Sequence, residues 1–516
     1  VAFLARIRCR AAAAPLEATL AVSAVVVSLY VVISPLTASR YPPMTDLPFH
    51  ATFGATFLHY WDPSYHLQEQ FRLAPISHPY MSMYALIALL MVVFPMMWAV
   101  RVAVVVHLLM VPAGLAVLFR GAKKSPLLGL LGLGMCWGNL THWGFINYVG
   151  ALGLFAMVVG LSLMVVDRPT RGRQAALVLT LVAVYFTHIF RFPFAIAAVV
   201  GTGVVMFPAR RRIRPLVVPV LLAVALFAWW WVARPKELTG NVDWGFYVNR
   251  LPREFGDALT SGFKDDGLKH ALMVSFDLSW AVALIAAAHA VVRRSRHQRR
   301  FTRWDVGVTL VPLACAGVFF AMFVTLPLFI GSWFYVFPRE ATATVVVLCG
   351  ASPDLPRVPW LRVPLFAAMC LGALLVSHEA RLHYAEYAEE SEQFYALTRP
   401  IPRGAKLFYH IADHTGTNRT TSPFSHMAAY VQAEKGGWLS WSFAVWNHAP
   451  VMYRKADEPG VVPLPPYPRW DPQREKPFYD WILVRDSISP DRHFTHDPNI
   501  RLVDHRGKWW LFHRVP

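Results

Sequence analysis

Two ionisable residues four positions apart, Asp46 and His50, stand in the stretch YPPMTDLPFHATFGATFLHYWDPSYHLQEQFRLAP (41–75), which separates two strongly apolar segments. A carboxylate placed at a water–lipid boundary can take the proton of a hydroxyl while that oxygen attacks a carbon. On a helix the spacing of four puts His50 on the same face as Asp46, where an imidazole would orient the carboxylate, help to bind a metal or contact a phosphate. The competing reading is that Asp46 only caps the helix that follows it. His59, Asp62 and His66 follow without a four-ligand spacing.

Further along, Arg339 and Glu340 head an apolar run, where a guanidinium would bind a phosphate or snorkel to the interface. His188 and Arg191 lie at a hairpin tip, where they would contact phosphate or form a polar turn. His142 and Asn147 are weaker candidates of the same kind. The segment 234–270 carries Asp243, Glu254, Asp257, Asp265 and Asp266, any one of which would serve an acceptor or a metal. His410, Asp413 and His414 lack a fourth ligand. Asn418-Arg419-Thr420 fits the N-glycosylation pattern, and Trp438, Trp441 and Trp446 would stack on sugars or form core.

Apolar spans must position these residues. Of 516 residues 56% are hydrophobic and only 16% charged, against about a quarter charged in an ordinary soluble chain. Runs of membrane-spanning length recur at 16–38, 80–98, 101–119, 126–140, 146–166, 174–188, 190–208, 215–233, 271–292, 305–330, 338–351 and 362–378. The fold class is a polytopic α-helical membrane protein with roughly 11–13 spans and a small C-terminal α/β domain. Residues 1–378 form the transmembrane domain and 379–516 the soluble one; 41–79 and 234–270 are its two large outer loops. The first apolar run shows no small-residue cleavage site and reads as a retained span.

The net charge of +18 sits mostly in short clusters: Arg6, Arg8 and Arg10, Arg120 to Lys124, Arg168 to Arg173, Arg210 to Arg214, and Arg293 to Arg303. Such clusters hold loops in the cytoplasm and exclude a nucleic-acid partner. They place 41–79, 234–270 and the tail outside. The count conflicts at 80–119, which looks like two helices but must cross an odd number of times. Phe49, Phe53, Phe57 and Trp61 make an aromatic stripe, so 47–61 is expected as an amphipathic helix lying in the membrane interface. The tail should hold a charged helix after 378 and strands at 406–411, 479–486, 500–505 and 508–514. Cys9, Cys136, Cys315, Cys349 and Cys370 form no paired framework.

An Asp after the first span and ahead of an interfacial helix resembles the GT-C superfamily of integral-membrane glycosyltransferases, in its bacterial branches. WGFINYVGALGLFAMVVGLSL (143–163), VYFTHIFRFPFAI (184–196), FYVFPREATATVVVL (334–348), YDWILVRD and GKWWLFHR, in that order, resemble segments of the same group. The resemblance implies a hexosyl- or pentosyltransferase of the bacterial cytoplasmic membrane with its C-terminal domain outside. It would move a sugar from a polyprenyl-phosphate donor to a glycan, lipid or protein acceptor at the outer face. Asp46 would be general base or metal ligand, His50 its neighbour, and Arg339, His188 and Arg191 would bind substrate. A divalent cation (Mg or Mn) is implied for some members; Leu47 breaks the common Asp-x-Asp or Asp-Glu pairing, which puts that cation in doubt. The alternative is a transporter or flippase-like protein for a lipid-linked glycan, which would need no base.

Overall fold

Lipid offers no water to backbone amides, so long apolar runs close their hydrogen bonds within helices. The computed structural model describes residues 14–234, 244–296, 298, 300–331, 333–416, 422–446, 449–454, 470, 471, 473, 475–490 and 497–515. Arg6, Arg8, Cys9, Arg10, Asp243 and 418–420 lie outside the described residues. The longer helices run in chain order as α1 (Pro15–Leu36), α2 (Leu47–His59), α3 (Ser82–Met91), α4 (Met96–Gly121), α5 (Ile146–Asp167), α6 (Arg171–Thr187), α7 (Phe192–Arg210), α8 (Arg214–Ala233), α9 (Arg253–Thr260), α10 (Gly267–Arg296), α11 (Arg303–Thr325), α12 (Val336–Leu348), α13 (Pro359–Glu386), α14 (Ala388–Thr398) and α15 (Ala429–Lys435).

Eight of these are long and apolar enough to cross a membrane: α1, α4, α5, α7, α8, α10, α11 and α13. Their polar contacts define two ends of the bundle. At one, Asp167 binds Lys123 at 2.8 Å and Arg210 at 2.9 Å, and Arg362 binds Glu17 at 2.7 Å. At the other, Thr45 N–H donates to the His142 carbonyl and Tyr247 N–H to that of Val324. Three shorter pieces also run between the ends: α6, α12 and the 3-10 stretch Pro126–Trp137. With the eight long helices these make eleven end-to-end pieces among the described residues; eight of them have the length and apolar composition of a span, against the 11–13 expected.

The segment 80–98 is not among them. Helix α3 has 10 residues, about 15 Å at 1.5 Å per residue. Arg101, near the start of α4, donates to the carbonyls of Ser39 and Arg40 just beyond α1. The two helices therefore meet at the same end, and the conflict in the crossing count disappears.

Helices α4 and α5 touch backbone to backbone. A Cβ on Gly114 would stand 1.8 Å from the Gly153 carbonyl oxygen, and one on Gly121 2.3 Å from that of Gly160. Small residues permit such close approach where lipid gives no hydrophobic drive between helices. This pair carries the turn at 143–147.

Helix α13 runs to Glu386, past the expected boundary at 378, and leads into α14. The tail then forms a five-stranded sheet from β4 (Lys406–Ile411), β5 (Trp438–Leu439), β7 (Trp481–Arg485), β8 (Ile500–Arg506) and β9 (Trp509–Arg514), in the order β5-β4-β7-β9-β8. Strands β5 and β7 lie parallel to β4, and the remaining pairs are antiparallel. A separate pair joins β1 (Phe71–Leu73) to β6 (Val451–Tyr453), tying the first large loop to the tail, and β2 (Phe329–Ile330) pairs with β3 (Trp333–Phe334) ahead of α12.

The aromatic stripe of α2 does not lie against lipid as expected. Phe49 and Phe53 are buried, and only Trp61 stands out, at 76% exposure. Phe49 packs on Trp441 and Phe443 of the tail, and Phe53 on Tyr84 of α3. The tail offers this stripe an apolar partner, which the sequence pattern alone assigned to the bilayer.

Candidate active site

Asp46 occupies the N-cap position of α2, yet its carboxylate accepts no hydrogen bond from the helix. Capping is therefore not what the side chain does. Its backbone is fixed from the turn ahead of α5: the Thr45 and Asp46 N–H groups donate to the carbonyls of His142 (3.2 Å) and Trp143 (3.0 Å). Gly144 closes that turn at φ +88°, and a Cβ there would lie 2.8 Å from the Asp46 nitrogen. Glycine alone takes this conformation without strain. His50, one turn into α2, has Nε2 3.0 Å from the Gly144 carbonyl oxygen and Nδ1 3.1 Å from the Tyr84 hydroxyl. Both of its nitrogens are engaged by the turn and by α3.

The tail closes over Asp46. His426 puts Nε2 3.7 Å from Asp46 Oδ1, beyond hydrogen-bond range. Its ring is held against Trp441 (5.1 Å) and Phe49 (4.8 Å). Nothing in SPFSHMAAY marked it: a lone histidine in a soluble segment carries no spacing signal. Burial pushes the Asp46 carboxyl up to about 7, with the positive charge of Arg339 working against the push. Burial also drives His50 down to about 4 and His426 down to about 3. Two neutral imidazoles thus flank a carboxyl that titrates near neutrality.

The remaining predicted residues gather around Tyr148 of α5. Its hydroxyl donates to the Arg339 carbonyl at 3.0 Å. The Arg339 guanidinium lies 4.0 Å over the ring of Phe145, two residues before Asn147, and donates to the Phe334 carbonyl. Among the described residues no carboxylate pairs with it, and its Nε has no hydrogen-bond partner. Arg191 differs: it forms a fully buried two-point pair with Glu340 and lies 4.9 Å from the Tyr148 ring. The His188 ring meets Tyr148 at 5.1 Å and Tyr80 at 4.9 Å, and its Nδ1 is buried without a partner. All five predicted residues therefore fall in one neighbourhood. Asp46 and His50 are joined through Gly144, Arg339 through Phe145, and His188 and Arg191 through Tyr148.

No family model and no curated protein matches the chain. Solved structures do, two of them of one protein. One is ArnT from Cupriavidus metallidurans bound to undecaprenyl phosphate, with TM-score 0.54 and 13% identity over 95% of this chain and 97% of that one. The other is the same protein in the apo state, with TM-score 0.52 and 13% identity over 97% and 98%. The chain has a GT-C-like fold, similar to that of ArnT. The likeness spans the membrane bundle and the tail together, so the expected fold class holds across the chain.

Other candidates have structural partners. The His142 nitrogens lie 3.2 Å from the Tyr384 hydroxyl and 3.1 Å from the Trp137 carbonyl. Glu254 pairs with Arg250 and Asp257 with Arg253 within α9 or just before it. Asp413 accepts from Lys508, Ser487 and the Thr415 N–H. Trp441 packs into the wall beside His426, while Trp438 lies against His66.

Proposed function

We propose that this protein is a glycosyltransferase that moves a sugar from a polyprenyl-phosphate donor to an acceptor hydroxyl at the outer face of the bacterial cytoplasmic membrane, with Asp46 as general base. The observation that carries this reading is the Asp46 carboxyl itself: buried, unused as a cap, fixed by a glycine turn, and set near Arg339 in a fold similar to that of an undecaprenyl-phosphate-bound protein.

In the reaction the acceptor oxygen forms a bond to the anomeric carbon while the bond from that carbon to the phosphate oxygen breaks. The acceptor proton passes to the Asp46 carboxylate. The polyprenyl phosphate leaves with the bonding pair, and fixed positive charge stabilises it. Arg339, which has no acidic partner among the described residues, is the guanidinium assigned to that phosphate; His188 lines the same wall. Arg191 is neutralised by Glu340 and acts on the site by shaping it. An apolar cleft of about 170 Å³ between α5, α7 and α11 is lined by Phe155, Phe194, Val311 and Phe319. Phe194 and Phe319 also face Arg191, so the cleft leads away from the cluster and suits part of the isoprenoid chain.

A divalent cation at Asp46 fits poorly. Among the described residues, one carboxylate and the ring nitrogens of His426 are the donors there, whereas Mg²⁺ and Mn²⁺ prefer several oxygen ligands. No step is therefore assigned to a metal.

The test is transfer of radiolabelled sugar from polyprenyl-phosphate donors in proteoliposomes. Wild type should transfer, and Asp46→Asn should fall by at least about 10²-fold with unchanged thermal stability. Transfer that survives Asp46→Asn would remove Asp46 from the mechanism.

A further inference from the structure

A second cluster of ligand-type residues lies apart from the contacts that build the Asp46 site, where the last turn of α13 meets the start of α10. Asp265, His383 and Glu386 each place one ligand atom within 4.8 Å of the others. Nε2 of His383 is 3.1 Å from Asp265 Oδ1, and Nδ1 is 3.7 Å from Glu386 Oε1. The His383 side chain is only 5% exposed, yet neither nitrogen makes a hydrogen bond. A buried imidazole in that state has given up water without replacing it. Phe263 stacks on the ring at 4.1 Å and holds its plane between the two acids.

A fourth donor is at hand. A Cβ on Gly267 would lie 2.7 Å from Glu379 Oε2 and 3.1 Å from Asp265 Oδ1, so the two carboxylates border the same small space. Glu379, His383 and Glu386 follow one another at intervals of four and three, which sets them on one face of α13. One imidazole with carboxylates, able to close to four ligands, is a donor set that zinc accepts.

We propose that Asp265, His383 and Glu386, with Glu379 as the fourth ligand, bind a divalent cation of the zinc class that clasps the segment 260–267 to the end of α13. One His383 nitrogen takes the cation, and the three carboxylates close around it. The clasp borders the active-site scaffold. Phe263 also lies 4.6 Å from the His142 ring, and the His142 carbonyl accepts the Thr45 N–H beside Asp46. The cation is thus structural, and it is distinct from any cation at Asp46.

The test uses the full chain in detergent, stripped with chelator and titrated with Zn²⁺, reading zinc per chain by atomic emission and the melting temperature. Wild type should hold one zinc per chain and melt higher with it. The double variant Asp265→Asn/Glu386→Gln changes two half-exposed side chains, so folding is retained. It should bind zinc at least about tenfold more weakly and lose the shift; His383→Ala should behave alike. Asp46→Asn should keep both. Wild type without stoichiometric zinc, or a double variant that binds as wild type does, would overturn the proposal. Zinc lost in Asp46→Asn but kept in the double variant would overturn it too, by moving the ion to the other site.

Discussion

A carboxyl held up at about 7 suits the proposed base catalysis, because it is ionised in a useful fraction yet basic enough to take a hydroxyl proton. The sign of the pH dependence follows. Burial favours the protonated form, so the working carboxylate is lost as pH falls through about 7. Transfer should drop about tenfold per pH unit well below that value and level off above it; a rate flat from pH 5 to 8 would refute Asp46 as base. The glycine turn gives a second check. Gly144→Ala must open the turn or push Asp46 away, and misplacement by about 1 Å can cost about 10²-fold in rate. Loss of transfer, with the protein still folded, is expected in that variant. Asp46 stood out in the sequence because it is an acid between two apolar runs. His426 did not, because only the folded tail brings it to α2.

Arg191 and Glu340 show why whole segments resisted a reading residue by residue. In the sequence Arg191 looked like part of a polar hairpin tip and Glu340 like a group at the head of an apolar run. In the structure they join α7 to α12 in a pair with no exposure. Removing one partner of such a pair leaves a buried charge uncompensated and costs about 3–5 kcal/mol. Glu340→Gln should therefore lower stability by about that amount in chemical unfolding, and a variant as stable as wild type would show that the pair is not closed. Spans of full length, such as α4, α5 and α11, were legible from apolar length alone. Helix α3 was not: its apolar run looks like a span until its length and the Arg101 contacts show where the chain stands. The strands β4, β7, β8 and β9 were legible from alternation, whereas β1 and β6 hold only as a pair.

The bundle is polarised from end to end, and the side proposed for Asp46 rests on that polarity. Lys123, Arg168, Arg171, Arg173, Arg210 to Arg212, Arg294, Arg296 and Arg303 stand at or near the helix ends away from Asp46, and such charge favours the cytoplasmic side. An odd number of crossings would set the start of α1 on that side and the tail on the other, as proposed. The cover of the candidate site, the first loop and the tail sheet stand at one end of the bundle, where β1 pairs with β6 and Arg454 donates to the Tyr60 hydroxyl at 3.1 Å. Exposed positions at the two ends test this directly: Ile76, at 88% exposure beside the Asp46 loop, and Thr170, between α5 and α6. In intact cells a membrane-impermeant maleimide should label Ile76→Cys, while Thr170→Cys should react only after permeabilisation. The opposite pattern would place Asp46 in the cytoplasm, where a base facing outward acceptors has no role, and the transfer reaction would have to be sought on the inner leaflet.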